Sequence, residues 1–105
     1  MKTGLISSIS SLNHDTGDGH PENKYRIQSI LERLKKSNLS NLEWTEPGKF
    51  DETYLNKTHS SLYIDEVKKA FPNKGQFFLD GDTVISPGSK EASYDAVSSI
   101  ISAID

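Results

Sequence analysis

The sequence predicts a helix-rich α/β segment, and three observations carry that expectation. Two stretches repeat apolar residues at i, i+3, i+4 and i+7: Ile27, Ile30, Leu31 and Leu34, then Val97, Ile100, Ile101 and Ile104. That spacing lays one apolar stripe along each of two helices. Two short runs, Thr3–Ser7 and Leu42–Thr45, have the character of brief strands. Helices with one apolar face need a sheet to cover, and these runs supply one or two strands for it.

Each element has its own local reason. Thr3-Gly4-Leu5-Ile6-Ser7 is a strand signalled by its apolar pair. The loop that follows ends in Gly19-His20-Pro21-Glu22. Pro21 suits a first helical turn, where its missing N–H leaves nothing unpaired, and Glu22 then meets the positive end of the helix dipole. The predicted helix runs from about Pro21 to Lys36, with Glu32, Arg33, Lys35 and Lys36 on its polar face and Ser37-Asn38 at its end. Leu42–Thr45 precedes a break at Pro47-Gly48, and Phe50 to Leu55 reads as one or two helical turns. A third helix, from about Ser60 to Phe71, presents Tyr63, Val67, Ala70 and Phe71 on one side and is closed by turn residues Pro72 to Gly75. Phe77-Phe78-Leu79 leads into an acidic loop. Pro87 or Ser89 opens the last helix, which stays apolar to Ile104 and meets no stop signal at Asp105. That ending predicts a segment of a longer domain.

Composition narrows the function classes. The chain has 105 residues, 33% of them hydrophobic, and a mean hydropathy of -0.59. This is lean for a self-sufficient α/β core and again suits part of a larger domain. A net charge of -3 argues against an electrostatic partner for nucleic acid. With no cysteine, disulfides and thiolate metal sites are excluded, and any metal would need His, Asp or Glu. No apolar run approaches a membrane span or a secretory leader, so the expected location is the cytoplasm and no membrane partner is expected.

Two loops concentrate polar chemistry. The first is His14-Asp15-Thr16-Gly17-Asp18-Gly19-His20-Pro21-Glu22-Asn23-Lys24-Tyr25-Arg26. Its glycines permit positive φ and tight turning. His14, Asp18 and His20 include proper zinc ligand types, but their spacing matches no metal motif, and loop polar groups more often satisfy backbone. The second is Asp80-Gly81-Asp82-Thr83. A D-x-D after an apolar run can hold a divalent cation, or it can be a turn with acids near a helix start. His59, just before a helix, reads as a capping or packing residue; Tyr63 reads as core and Trp44 as a packed side chain.

Together these stretches resemble the zinc-dependent histone deacetylase family, in particular its acetylpolyamine amidohydrolase and class II-like bacterial branch. The resemblance lies in His14…Gly17…Gly19-His20-Pro21-Glu22…Arg26, in Thr58-His59-Ser60…Tyr63-Ile64…Val67, and in Leu79-Asp80-Gly81-Asp82-Thr83…Ser86-Pro87-Gly88-Ser89…Glu91-Ala92. It implies that residues 1–105 are the N-terminal, helix-rich segment of an arginase/deacetylase-type three-layer fold with a parallel sheet. It implies hydrolysis of N-acetyl amides on acetyl-lysine or acetylpolyamines. A Zn2+ ion held by two aspartates and a histidine would polarise the carbonyl, with a histidine pair and a tyrosine assisting. Apart from Asp18-Gly19-His20, whose positions the resemblance places at the channel rim and wall, the chain contains no Asp-x-His pair, and it has no His-His pair and no Gly-Gly-rich loop, so no catalytic or metal residue is assigned here. By resemblance His20, Pro21 and Asp82 line the rim of the substrate channel, where acidity suits a cationic substrate. The partners implied are that substrate and the remainder of the deacetylase domain, and the isolated segment is expected to be inactive. One departure is Asn23, where many members carry arginine.

Two other readings compete. Asp80-Gly81-Asp82-Thr83-Val84 also resembles the nucleophile motif of haloacid-dehalogenase-like phosphatases, although that motif normally closes a first strand and here follows three quarters of the chain. Alternatively the chain is a non-catalytic module that binds a partner through its apolar stripes.

Overall fold

The computed structural model describes residues Met1–Asp105. Its first unit is a β-helix-β crossover. Strand β1 (Thr3–Ile6) and strand β2 (Leu42–Thr45) pair in parallel, with Thr3 opposite Leu42 and Ile6 opposite Thr45. The Thr3 N–H on the Asn41 carbonyl at 2.7 Å and the Ser7 N–H on the Thr45 carbonyl at 3.2 Å extend the ladder by one bond at each end. Parallel strands need a long connection, supplied here by a 3-10 turn (Ile9–Asn13), the polar loop and helix α1 (Lys24–Lys35).

Helix α1 starts three residues later than the proline suggests. Asn23 is its N-cap, extended at φ -142°, and its side-chain oxygen accepts the Tyr25 N–H at 3.1 Å. Asparagine is among the best residues for that position, so it outcompetes Pro21, which stays in the loop with Glu22. This also gives Asn23 a structural duty at the position where many family members carry arginine. Helix α2 (Ser61–Ala70) begins as expected, with Ser60 capping the Tyr63 N–H at 3.2 Å. The segment before it is a 3-10 helix, Glu52–Lys57, capped by Asp51 on the Thr53 N–H.

The acidic loop is the turn of a hairpin that sequence periodicity does not reveal. Strands β3 (Phe77–Phe78) and β4 (Val84–Ile85) are antiparallel, and the Leu79 N–H reaches the Thr83 carbonyl at 2.8 Å. Two residues per strand are too few to show alternation. Ser89, not Pro87, opens helix α3 (Ser89–Ile104), which packs on the first 3-10 turn and on β1.

What is buried is unusual for a domain core. Val84 and Ile85 are the only buried hydrophobic residues; the other five are Ser10, Thr16, Ser86, Ser89 and Ser98. Ser98, midway along α3, has a hydroxyl without a hydrogen-bond partner; the other four lie in a hydrogen-bonded seam between the first 3-10 turn, the polar loop and the start of α3. The apolar stripes of α1 and α3 are only half covered: Ile27, Leu31, Leu34, Val97 and Ile101 are half-buried, while Ile30 is 43% exposed, Ile100 65% and Ile104 79%. Tyr63, expected in the core, is half exposed, and Trp44 lies under the Lys35 ammonium at 5.6 Å from its ring centroid. The two strand pairs are separate two-stranded sheets. A parallel pair normally lies covered on both faces within a larger sheet. The Cα radius of gyration, 15.4 Å, exceeds the ~13 Å usual for this length.

Candidate functional site

The seam is built around a buried serine pair. The Ser86 N–H donates to Ser89 Oγ at 2.8 Å, and the two hydroxyls are 3.2 Å apart. The Asp15 N–H donates to Ser86 Oγ at 3.0 Å, which ties the polar loop to α3. His14 Nδ1 lies 2.6 Å from Ser89 Oγ. A hydroxyl both donates and accepts, so either histidine tautomer satisfies this contact; the ring's other nitrogen is Nε2. That nitrogen faces the Glu22 carboxylate at 3.8 Å.

Glu22, His14 and Ser89 thus line up in the order of a hydrolase triad, but the serine cannot attack a substrate. Ser89 is 0% exposed, and a nucleophile must reach the reacting carbonyl. The row is structural: it holds the polar loop against α3. A second brace lies beside it, where the Ser8 and Ser10 hydroxyls donate to Asp95 Oδ2 at 2.8 and 2.6 Å. Asp95 gives no sequence signal, being one acid in the middle of a helix; only the packing of α3 on the first 3-10 turn shows its role.

His20 is engaged at both ring nitrogens. Nδ1 accepts the Glu22 N–H at 3.0 Å, and Nε2 donates to the Asp82 carbonyl at 2.6 Å. This bond joins the two polar loops across 62 positions of sequence. Beneath the ring, the Thr16 hydroxyl donates to the Glu22 carbonyl and the Asn23 amide to the His20 carbonyl. Gly17 and Gly19 sit at φ 89° and 78°, where side chains are disfavoured; they let the loop curl back toward the hairpin. Pro21 is exposed beside His20, and Asp18 is exposed as well.

In the hairpin, Asp80 Oδ1 accepts the N–H groups of Asp82 at 3.0 Å and Thr83 at 2.9 Å. The Asp82 N–H foremost, with Thr83 next, holds the Asp80 carboxyl below its ordinary range, because hydrogen bonds to the ionised form favour it. Asp80 is therefore the turn-former. Asp82 is exposed at the tip, so the two acids of the D-x-D sequence have different jobs.

No group of three or more His, Asp or Glu side chains is arranged to hold a metal ion. His14 and His20 are both committed to hydrogen bonds, so the residues present do not fit a zinc site, and no step through zinc is derived for this chain. His59 packs its ring on Tyr63, with centroids 5.2 Å apart; the cap next to it is Ser60. It lines an apolar cleft with Leu55, Val67, Phe71 and Tyr94. A second, polar cleft is lined by His14 and Glu22 from the loop, Lys24 and Arg26 from the first turn of α1, and Ala92 and Ser93 from α3.

Comparison with known proteins bears on these loops directly. Residues 20–105 match the model of the histone deacetylase domain, a span that includes His20, Pro21 and Asp82. The chain is similar to an uncharacterized protein of Synechocystis sp., with 31% identity over 105 residues covering 96% of this chain and 34% of that protein. It thus spans about a third of the length of that relative. With residues 20–105 matched to that domain, the acidic loop and last helix wholly inside the match and the first polar loop inside it from His20 on, the chain belongs to the histone deacetylase family.

Proposed function

We propose that these residues form the N-terminal segment of a single deacetylase domain and supply the rim of its substrate channel. The enzyme is of the acetylpolyamine amidohydrolase, class II-like bacterial type, with an arginase-like three-layer fold, and acts in the cytoplasm. Its substrates are N-acetyl amides of acetyl-lysine or acetylpolyamines. Zinc supplies carbonyl polarisation and water activation when bound, from ligands outside these 105 residues. The chain's own contribution is binding. The exposed Asp82 carboxylate accepts hydrogen bonds from a substrate N–H or amine, and His20 and Pro21 form the facing lip.

The observation that carries this reading is the 2.6 Å bond from His20 to the Asp82 carbonyl. It brings the two family loops to one edge and leaves an acidic side chain at the tip, where it suits a cationic substrate. The half-covered apolar helix faces support completion by further polypeptide of the same domain. The phosphatase alternative has less support, because Asp80 is held by two backbone N–H groups and no third His, Asp or Glu joins Asp80 and Asp82 into a cation-holding group.

The test is hydrolysis of acetyl-lysine peptides and of acetylputrescine. The expected result is no turnover and no stoichiometric zinc binding by the 105-residue chain, and chelator-sensitive turnover by the complete domain. One-to-one zinc binding by the isolated chain, or magnesium-dependent phosphatase activity lost on Asp80→Asn, would refute it.

A further inference from the structure

The Asp82 carboxylate stands at the tip of a very small hairpin. Only Phe77 with Ile85 and Phe78 with Val84 are paired, and a two-stranded ribbon of that size is marginal by itself. Its base is fixed, because Val84 and Ile85 are buried. Its tip is shaped from within but not tied to the rest of the molecule by packing: Phe77, Phe78 and Leu79 are 48%, 59% and 41% exposed, and the bonds of Asp80 stay inside the turn. One hydrogen bond connects the tip to another part of the chain, and it comes from His20.

The imidazole is well placed for that duty. Its backbone lies between Gly19 at φ 78° and Pro21, whose ring restricts the preceding residue to extended conformations. The Asp82 carbonyl can only accept, so Nε2 carries a hydrogen toward it, while Nδ1 lies against the Glu22 backbone, 3.0 Å from its nitrogen and 3.1 Å from its carbonyl oxygen. The Asn23 amide holds the His20 carbonyl at 3.2 Å. Since Asn23 also caps α1, the ring is referenced to a helix terminus rather than to a free loop.

We propose that His20 is a positioning residue: it clamps the Asp80–Thr83 turn to the start of α1 and so sets where the Asp82 carboxylate meets substrate. The service to substrate rests on the deacetylase reading, whereas the clamp itself does not. His20 acts through the Asp82 backbone, and its ring is occupied at both nitrogens, which leaves no ring nitrogen free to bind substrate.

Two variants separate the halves of the ring. In His20→Gln the amide nitrogen stands near the place of Nε2 and still donates to the Asp82 carbonyl. In His20→Asn the side-chain oxygen replaces Nδ1, and nothing reaches Asp82. The first arm is nitrogen-15 NMR of the histidine side chains in the complete domain. A single Nε2–H tautomer for His20 is expected, and averaged tautomers would overturn the clamp. The second arm is steady-state kinetics of the complete domain on an acetyl-lysine peptide. His20→Asn is expected to raise KM about tenfold, the effect of losing one hydrogen bond's worth of alignment, with kcat within twofold. His20→Gln should restore KM. Asp82→Ala should give a similar rise, and adding His20→Asn to it should raise KM no further, as coupled residues do. Equal loss of kcat in both His20 variants, or full additivity with Asp82→Ala, would overturn the positioning role. An inactive wild-type domain would refute the deacetylase reading instead, and the NMR arm would still decide the clamp.

Discussion

Replacing Ser89 by alanine removes one oxygen from the most enclosed point of the molecule. Ser89 is 0% exposed, and its hydroxyl accepts the Ser86 N–H at 2.8 Å and meets His14 Nδ1 at 2.6 Å. Ser86 is itself buried, so in the variant its N–H has no partner and no water to turn to. A buried donor left unpaired costs about 1–3 kcal/mol. At about 2 kcal/mol, the local opening equilibrium rises roughly thirtyfold, since each 1.4 kcal/mol is about a factor of ten. The assay is native-state hydrogen exchange read at the Ser86 amide, which reports local opening without a cooperative global transition. The expected result is exchange accelerated roughly thirtyfold at Ser86, with loosening at Asp15, whose N–H depends on Ser86 Oγ. Ser93→Ala is the control, because the Ser93 hydroxyl bonds only to the Ser89 carbonyl one turn back in the same helix. Unchanged protection in Ser89→Ala, or no protection at Ser86 in the unmodified chain, would refute the serine seam as the joint between the polar loop and α3.

Three further outcomes follow from the same geometry. Gly88→Ala should destabilise that joint by about 1–3 kcal/mol, because a Cβ there would sit on the Asn13 carbonyl oxygen and 2.6 Å from Asn13 Cβ; Gly81→Ala, with nothing within 4 Å, should stay within about 0.5 kcal/mol, and denaturant-dependent amide exchange compares the two. The Lys68 hydrogen bond at 2.8 Å foremost lowers the Glu52 carboxyl and, reciprocally, raises the Lys68 ammonium, so the tether between α2 and the preceding 3-10 helix should be lost as pH falls through Glu52's lowered value and again as it rises through Lys68's raised one; carbon-13 titration should place the Glu52 midpoint below 4.5, and Lys68→Met should bring it back up. The isolated 105-residue chain should melt without a sharp transition and bind a hydrophobic dye, given two buried hydrophobic side chains and a radius of gyration of 15.4 Å; a steep transition with full near-UV dichroism would contradict this.

Sequence alone determined the helices and the nature of the loops, because both are local properties. Periodicity located α1, α2 and α3 to within a few residues, and Ser60 and the last turn of α1 marked their ends. The missed details were also local, but were decided by competition: Asn23 displaced Pro21 as the start of α1 because a side-chain oxygen on the Tyr25 N–H is worth more there than a preset φ. The likeness to the histone deacetylase family was legible in the motifs around His20, Pro21 and Asp82.

Tertiary structure alone decided which distant groups meet. Nothing in the order of residues states that His20 Nε2 finds the Asp82 carbonyl, that Ser89 closes on His14, or that Asp95 collects the hydroxyls of Ser8 and Ser10. Hydrogen-bond partners far apart in sequence have no periodicity to betray them; they are chosen by the packing of α3 against the first 3-10 turn. The same holds for the exposed stripes. Spacing shows that a helix has an apolar face, but only the folded chain shows that Ile30, Ile100 and Ile104 on those faces stay exposed while their neighbours in the stripe are half-buried.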